Sequence, residues 1–234
     1  MYGIIGAMQG EIDGLLGLLV GRTERRVNGV LFYTGRLGGC EVAIARSGVG
    51  KVSAAMTAAL LIREFAPEAV INTGVSGALS PTLSVGDLAL ATALVEHDMD
   101  TSALGDPVGY LSGLDVVYLP ADGGLLAAAE SAADALGVRR ESGVIASGDQ
   151  FISDRTKKER IRDTFGAISC EMEGAAIAHV CYAMGVPVAV VRTVSDKADG
   201  SAEVDFPTFA AAAAVQSCRV TAEMLRLLSE DKER

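Results

Sequence analysis

Short apolar runs alternate with helix-like segments along almost the whole chain, and this alternation constrains the fold more than any other feature. Residues 2–8, 69–73 and 188–195 have the length and continuity of buried strands. Residues 51–65 are rich in Ala and Leu at helical spacing and end before a proline. The alternation predicts an α/β fold whose mixed, largely parallel, twisted sheet is flanked by helices on both faces.

The other predicted elements complete this pattern. Residues 38–39 are a Gly-Gly pair between two strands and indicate a hairpin, and Asp154 is a plausible N-cap. We find no linker and no internal repeat, so we expect a single domain over residues 1–234, with half of its residues hydrophobic and able to form one large core. The remaining predicted strands are 30–37, 40–46, 87–97, 138–147 and 167–170, and the remaining predicted helices are 10–20, 120–136, 154–165, 171–184 and 208–228.

Charge and composition exclude several classes of partner. The formal net charge is −10, and no basic stripe is present, which argues against nucleic acid as a partner. No apolar stretch is long enough to predict a membrane span, and the N-terminus lacks the basic region of a signal peptide. The four cysteines have no CxxC spacing and are expected to be buried thiols in a reducing compartment, which predicts a cytoplasmic protein.

Three familiar catalytic motifs fail on inspection. Residues 47–51 (SGVGK) suggest a phosphate loop, but a Walker A motif needs a glycine at Ala45 and a hydroxyl residue at Val52. The first strand is not followed by a GxGxxG fingerprint, and Ser76 does not lie in a GxSxG motif. Of the two histidines, His179 lies mid-helix among small apolar residues, whereas His97 ends a strand and stays open as a supporting residue. Acid–base chemistry would therefore fall to Asp and Glu.

Carboxylates stand at the ends of three predicted strands. Glu11 follows the first strand, Glu171 and Glu173 flank Met172 after another, and Asp196 ends a nearly continuous apolar strand. An acid in the first turn of a helix can simply favour the helix dipole, and Asp196 can be a turn residue. However, a partly desolvated Asp196 would hold its proton more strongly, which suits a proton donor. In such sheets ligands bind beyond the strands' carboxyl ends, so these acids could converge on one crevice.

Eight short stretches resemble one known family in the same order along essentially the whole chain. Each stretch is weak by itself, but the ordered set is specific. The chain resembles 5′-methylthioadenosine/S-adenosylhomocysteine nucleosidases, which belong to the nucleoside phosphorylase/hydrolase superfamily. The stretches are residues 3–11 (GIIGAMQGE), 47–51 (SGVGK), 71–77 (INTGVSG), 85–87 (VGD), 97–98 (HD), 147–152 (SGDQFI), 171–176 (EMEGAA) and 191–196 (VRTVSD).

The resemblance implies that the chain hydrolyses the N-ribosyl bond of 5′-methylthioadenosine and S-adenosylhomocysteine and releases adenine without a cofactor. It implies that Glu11 activates the attacking water near Arg192, that Asp196 protonates adenine N7 beside Ser195, and that Glu173 holds the ribose hydroxyls. Phe151 would stack on adenine. The other residues that the resemblance places around the substrate are Met8, Val49, Val75, Ser76, Gly77, Ile152, Glu171, Met172 and Phe206.

The same resemblance implies a homodimer in which the loop 101–106 of one subunit reaches the partner's pocket for the 5′-substituent. Thr101 and Leu104 would be the contact residues, although some family members carry aromatic residues in this loop, and the usual serine after Thr-Gly is Val75 here. Three alternatives stay open: an aminodeoxyfutalosine nucleosidase, a phosphorylase and a nucleoside-binding protein without activity. A phosphorylase needs a basic phosphate cradle, which the loop ending in Glu11 does not offer.

Overall fold

The computed structural model of the protein describes residues 1–232, so Glu233 and Arg234, at the end of the expected domain, lie outside the described residues. The described part forms ten strands and six helices. The strands are β1 (Tyr2–Gly6), β2 (Val20–Val27), β3 (Val30–Leu37), β4 (Cys40–Arg46), β5 (Ala69–Ala78), β6 (Leu88–Glu96), β7 (Leu119–Pro120), β8 (Arg140–Ser147), β9 (Ala167–Glu171) and β10 (Val188–Asp196). The helices are α1 (Gly10–Leu18), α2 (Lys51–Phe65), α3 (Gly123–Ala135), α4 (Arg155–Phe165), α5 (Gly174–Met184) and α6 (Ala202–Lys232).

All ten strands belong to one sheet, and five of its strands close into a barrel-like ring. The order of the sheet is β10-β6-β8-β9-β5-β1-β4-β3-β2, with β7 beside β6, and β10 also pairs with β5. This last pairing joins β5, β10, β6, β8 and β9 into a closed circuit. Among the described residues, five of the ten strand pairings are parallel, so the predicted α/β class with a mixed sheet is confirmed.

Helices cover both faces of the sheet through separate apolar clusters. On one face, α2 and α5 contribute Leu61 and Ile177 to a core that includes Ile5 and Val190. On the other face, α1, α3 and α6 pack on Ile4, Ile71 and Val191 with the helix residues Leu15, Ala129 and Met224. Neighbouring residues of β1, such as Ile4 and Ile5, therefore pack into the cores on opposite faces of the sheet, because successive side chains of a strand point to opposite faces.

Several boundaries differ from the sequence prediction for identifiable reasons. The sequence does not indicate β2, because this edge strand is exposed along nearly its whole length and lacks an apolar period. The predicted strand 69–73 extends through Ala78, so the Gly74–Gly77 segment lies inside β5 and not beyond its end. The predicted helix 120–136 begins only at Gly123, because Pro120 pairs with β6 and Asp122 caps α3.

Two helices near the carboxylates also begin elsewhere than predicted. The helix predicted from residue 171 begins at Gly174, because the Glu171 side chain accepts the backbone N–H groups of Glu173 and Gly174 and so ends β9 as a cap. The helix predicted from residue 208 begins at Ala202 and contains Pro207. A proline near a helix start is tolerated more easily than one in the middle. Asp154 caps α4 as predicted, accepting the Lys157 N–H at 2.9 Å.

We expect Leu61→Ala to lower the free energy of unfolding by about 2–5 kcal/mol, because it opens a cavity between α2 and β1. Leu61 is fully buried, and its side chain fills the space that a side chain at Gly3 would need. Urea unfolding followed by circular dichroism measures this loss. The matched control is Leu18→Ala on α1, whose leucine is 56% exposed and whose loss should change stability by less than about 0.5 kcal/mol. Equal losses in the two variants would contradict this account of the core.

Candidate active site

A cavity of about 340 Å³ lies where the ends of β1, β9 and β10 meet the second half of β5. Three other depressions are larger, at about 400, 630 and 650 Å³, but none of them contains Glu11, Glu173 or Asp196. Thirteen of the residues singled out in the sequence line the 340 Å³ cavity together with Ala7 and Cys170: Met8, Glu11, Val49, Val75, Ser76, Gly77, Phe151, Glu171, Met172, Glu173, Ser195, Asp196 and Phe206.

Backbone N–H groups hold the Glu11 carboxylate in the cavity wall. One oxygen accepts the N–H groups of Ala7 and Met8, both at 2.8 Å, and the other accepts the Val75 N–H at 2.9 Å. Glu11 is 1% exposed, so it is not an ordinary solvated residue of a helix first turn. Gly74 passes so close that any Cβ at this position would collide with Glu11 and Arg192. These contacts leave the carboxylate no alternative position.

Arg192 lies behind the cavity and connects three of its carboxylates. Its guanidinium is fully buried, contacts Glu171 and lies 3.5 Å from Glu173 and 3.9 Å from Glu11. The side chain of Asn72 accepts a further hydrogen bond from it at 2.5 Å. Burial alone would lower the pKa of Arg192, but the three carboxylates outweigh it and raise that pKa. Arg192 therefore stays charged and anchors the acidic groups.

Glu171 and Glu173 have different surroundings although they are two residues apart. Glu171 is saturated by protein groups, because Ser147, Arg192 and the N–H groups at the start of α5 all donate to it. Glu173 accepts only the Gly50 N–H, at 2.9 Å, and the long contact from Arg192. Burial, with the Glu171 charge adding to it, raises the pKa of Glu173 to about 7. Glu173 is thus the freer of the two for a ligand.

Asp196 ends β10 and is almost fully buried. Its two oxygens accept hydrogen bonds from the Ser195 hydroxyl at 2.9 Å and from the Ala198 N–H at 2.8 Å. Burial raises the pKa of Asp196 despite these two hydrogen bonds, which lower it. Gly77 packs directly on this carboxyl group, since a Cβ there would lie 2.8 Å from Oδ1. The environment therefore favours a protonated Asp196 more than water would.

Aromatic and apolar groups form the rest of the wall. Phe151 is 47% exposed, and its ring lies 5.4 Å from that of Phe206 in an edge-on arrangement. Ile152 is outside this wall and lines a smaller adjoining pocket together with Phe151 and Asp196. The buried hydroxyl of Ser76 has no hydrogen-bond partner and borders the main cavity, so a ligand could supply that partner.

Two predicted contact residues and both histidines lie away from this wall. Thr101 and Leu104 lie at a single 3₁₀ turn (Ser102–Leu104), and Leu104 is 84% exposed. His179 is only partly buried and contacts Glu96 at 2.8 Å. His97 is buried against Gly148, and its Nε2 has no partner. Burial lowers the pKa of His97.

Sequence reasoning did not assign roles to several residues that hold the site together. Asn72 and Ser147 contact Arg192 and Glu171, and the Gly50 N–H contacts Glu173. Asn72 is the polar residue that interrupts an apolar strand, and this interruption was an available signal. Ala7 and Cys170 also border the cavity but carry no chemical signal.

Chemically, the cavity offers an acidic group that favours its proton and a fixed carboxylate in one apolar enclosure. No lysine or arginine is part of its wall within the described residues, since Arg192 lies behind the carboxylates. No cluster of three or more His, Cys, Asp or Glu side chains in residues 1–232 is arranged to hold a metal ion. None of the helices in this range is both long and apolar enough to cross a membrane.

Comparison with known proteins places these features in a family. The model of the phosphorylase superfamily matches residues 1–226. A 5′-methylthioadenosine/S-adenosylhomocysteine nucleosidase from Actinobacillus succinogenes is 40% identical, over 95% of this chain and 97% of the relative.

Solved structures agree over the same length. The nucleosidase of that name from Neisseria meningitidis, in complex with methylthio-immucillin-A, has a TM-score of 0.94 and 37% identity, with 97% of this chain and 98% of that chain covered. A futalosine hydrolase from Helicobacter pylori has a TM-score of 0.91 and 36% identity, with 95% and 96% covered. The chain belongs to the 5′-methylthioadenosine/S-adenosylhomocysteine nucleosidase family of the phosphorylase superfamily.

Proposed function

We propose that this protein is an N-glycosyl hydrolase that cleaves adenine from 5′-methylthioadenosine and S-adenosylhomocysteine. The observation that carries the proposal is one apolar cavity lined by Glu11, Glu173 and Asp196 with no cationic side chain in its wall. Such a wall suits a neutral nucleophile such as water better than it suits phosphate. The names of the full-length relatives support the same activity.

Asp196 is the proposed general acid. The purine leaves poorly as an anion, whereas protonation at N7 makes it a neutral leaving group. Burial raises the pKa of Asp196, so a larger fraction of this group carries a proton near neutral pH than for an exposed aspartate. A positioned acid of this kind contributes about 10²–10⁴-fold to the rate.

Glu11 is the proposed base for the attacking water. Its carboxylate is fixed by three N–H groups and has Arg192 behind it at 3.9 Å, so a water beside it would be oriented before the reaction. Cleavage of an N-ribosyl bond passes through a state with cationic character on the ribose, as glycoside hydrolysis does. Glu173 is proposed to hold the ribose hydroxyls and to place negative charge near that cation.

The remaining cavity residues fit the ends of such a nucleoside. Phe151 offers an exposed ring for stacking on adenine, with Ile152 next to it for backbone hydrogen bonds. Met8, Val49 and Phe206 provide an apolar surface for the thioalkyl group. Glu171, saturated within the protein, is proposed to position Arg192 and α5. The other proposed wall residues around the substrate are Val75, Ser76, Gly77, Met172 and Ser195.

A second candidate substrate is aminodeoxyfutalosine, because a futalosine hydrolase matches the chain almost as well as the nucleosidases do. Both substrates present a purine, a ribose and a 5′-substituent to the same cavity. A competition assay with the two nucleosides at equal concentration measures which has the larger kcat/KM.

We also propose a homodimer and a cytoplasmic location. Both α2 and α5, which pack against each other, carry exposed apolar side chains: Val52 and Met56 on α2, and Tyr182 and Met184 at the end of α5. The exposed Leu104 would reach the partner's cavity. All four cysteines are buried and free, as is typical of a reducing compartment.

Adenine release from 5′-methylthioadenosine is expected in phosphate-free buffer, with a rate that added phosphate does not raise. In the same assay Glu11→Gln should lower kcat by about 10²-fold or more, because the amide cannot accept the proton of water. Strict dependence on phosphate would overturn the hydrolase assignment. An unchanged kcat in Glu11→Gln would instead remove Glu11 as the base and leave the overall activity standing.

Asp196→Asn is expected to lower kcat by about 10²–10⁴-fold while leaving the melting temperature and substrate affinity nearly unchanged. Since the pKa of Asp196 is raised, the active protonated form persists to a higher pH than in an exposed aspartate and is lost as the pH rises through that pKa. The kcat/KM of the wild type should therefore fall on the alkaline side. In Asp196→Asn, the part of this alkaline fall in kcat/KM that is caused by deprotonation of Asp196 should be absent.

The matched control is Asp163→Asn, which removes a carboxylate whose side chain is 66% exposed and which lies outside the cavity wall. Stopped-flow measurements from pH 5 to about 9 and calorimetric binding separate turnover from affinity. Because the raised pKa of Glu173, about 7, also lies in this range, only the difference between wild type and Asp196→Asn reports Asp196. Turnover close to that of the wild type in Asp196→Asn would exclude this residue as the acid.

Met56→Glu is expected to weaken dimerisation by about 100-fold or more, because it buries a charge in an apolar interface. Sedimentation equilibrium over a range of concentrations measures the dissociation constant. Val215→Glu, which alters an equally exposed apolar residue on α6, is the control and should leave the dimer intact. A wild-type protein that sediments as a monomer would contradict the proposed assembly.

A further inference from the structure

A second, larger cavity adjoins the nucleoside cavity and shares part of its wall. It has a volume of about 630 Å³ and is separated from the first cavity only by Ala7, Met8 and Val49, which line both. Its outer wall comes from the β2–β3 hairpin and the end of β4. These elements lie at the edge of the sheet, outside the barrel-like ring.

Two arginines line this second cavity without a carboxylate partner. Arg26 lies on β2 and Arg46 ends β4. The neighbouring arginines of β2 are paired, Arg22 with Glu24 and Arg25 with Glu64, each at 2.7 Å. Within residues 1–232 no ion pair involves Arg26 or Arg46, although the protein has a net charge of −10. Two uncompensated guanidinium groups on one concave surface of an acidic protein form a local attraction for anions.

The hairpin turn fixes the position of Arg26. Asn28 and Gly29 both have positive φ, as a tight two-residue β-turn requires, and the Gly29 carbonyl accepts one N–H of Arg26 at 3.0 Å. The other N–H groups of the guanidinium stay available. Arg46 is held by its strand, since Gly6 is its register partner and Ser47 donates to the Gly6 carbonyl at 2.9 Å. Both side chains are therefore presented by regular elements and not by a long loop.

We propose that this second cavity binds a carboxylate at the far end of the 5′-substituent, with Arg26 and Arg46 as specificity-determining residues. This inference rests on the proposed function. With adenine at Asp196 and the ribose at Glu173, the 5′-end points to Met8 and Val49, the residues that the two cavities share. A methylthio group ends at this shared wall, whereas a homocysteinyl group is long enough to continue past it.

The chemistry of the wall matches an amino-acid end group. Guanidinium groups form strong, charge-assisted hydrogen bonds with carboxylates. Gln9, Asn28 and Tyr33 add polar atoms to the same wall. In the single subunit the cavity is open to solvent, and Met56 of the proposed dimer interface borders it. The arginines are exposed, so the gain is screened and concerns substrate affinity more than the chemical step.

Three 5′-thio-substituted adenosines separate the effect of the carboxylate on KM from the effects of the alkyl chain and the amino group. They carry a 5′-methylthio group, a 5′-(3-carboxypropylthio) group or a 5′-(3-aminopropylthio) group, the last two being S-adenosylhomocysteine without its amino group or without its carboxylate. In the double variant Arg26→Ala/Arg46→Ala, the KM for the carboxypropyl substrate should rise about tenfold relative to the KM for the methylthio substrate. The KM for the aminopropyl substrate should not rise, and kcat should change little.

The control is Arg63→Ala/Arg219→Ala, which removes the same charge from exposed positions outside both cavities.

In the wild type, the preference for the carboxypropyl substrate over the methylthio substrate should decrease when the salt concentration is raised from about 0.02 M to about 0.5 M, because salt screens the attraction. Equal KM changes for all three substrates would overturn the proposal. If the wild type is an oligomer and Arg26→Ala/Arg46→Ala is a monomer, the proposal would also be overturned, and the arginines would be assigned to a subunit contact. If the wild type releases adenine from none of the three, the proposed function itself has failed.

Discussion

The buried guanidinium of Arg192 is the interaction on which the rest of the site depends. A charge without access to water is tolerated only with partners, and here Glu11, Asn72 and the Glu171–Glu173 segment supply them from three separate parts of the chain. Because three carboxylates surround one cation, the cluster carries excess negative charge. Burial, with the charge of the neighbouring carboxylates adding to it, raises the pKa of Glu173 to about 7, so this acid can take up a proton near neutral pH. Removal of the arginine would leave buried carboxylates unpaired, at a cost of about 3–5 kcal/mol.

Closure of the strand ring is what gathers these groups. The pairing of β10 with β5 places Arg192 opposite Gly74, and the pairing of β9 with β5 places Cys170, next to Glu171, opposite Gly77. Only glycine lets the backbone of β5 come this close to the site residues. A Cβ at Gly74 would collide with Arg192, and a Cβ at Gly77 would collide with Asp196. The site is therefore formed on rigid strands and helix starts, and its acids have little freedom to rearrange. That rigidity is suited to preorganised catalysis.

The cavity separates its chemical tasks by environment. At one end Asp196 is desolvated and favours its proton, while Glu11 is fixed by backbone N–H groups as an acceptor. In the same cavity Glu173 keeps hydrogen-bonding capacity that the neighbouring Glu171 has already used within the protein. Both glutamates border the cavity, but they differ because Glu171 is saturated by Ser147, Arg192 and the N–H groups at the start of α5, whereas Glu173 is not. The role of each carboxylate therefore depends more on its hydrogen-bond and charge partners than on whether it is Asp or Glu.

The local pattern of the sequence determined the α/β class, most strands and helices, and the acids at the strand ends, because apolar periodicity and turn residues act over a few neighbouring positions. The ordered family motifs added the expected roles of those acids. The tertiary structure alone decided that β5 and β10 close the ring, that Glu171 caps α5 and pairs with Arg192, and that Arg26 and Arg46 share a cavity. It also revealed β2, whose exposed residues carry no apolar period. These features join residues far apart in the chain, and their contacts depend on strand register and side-chain direction, which no short stretch of sequence specifies.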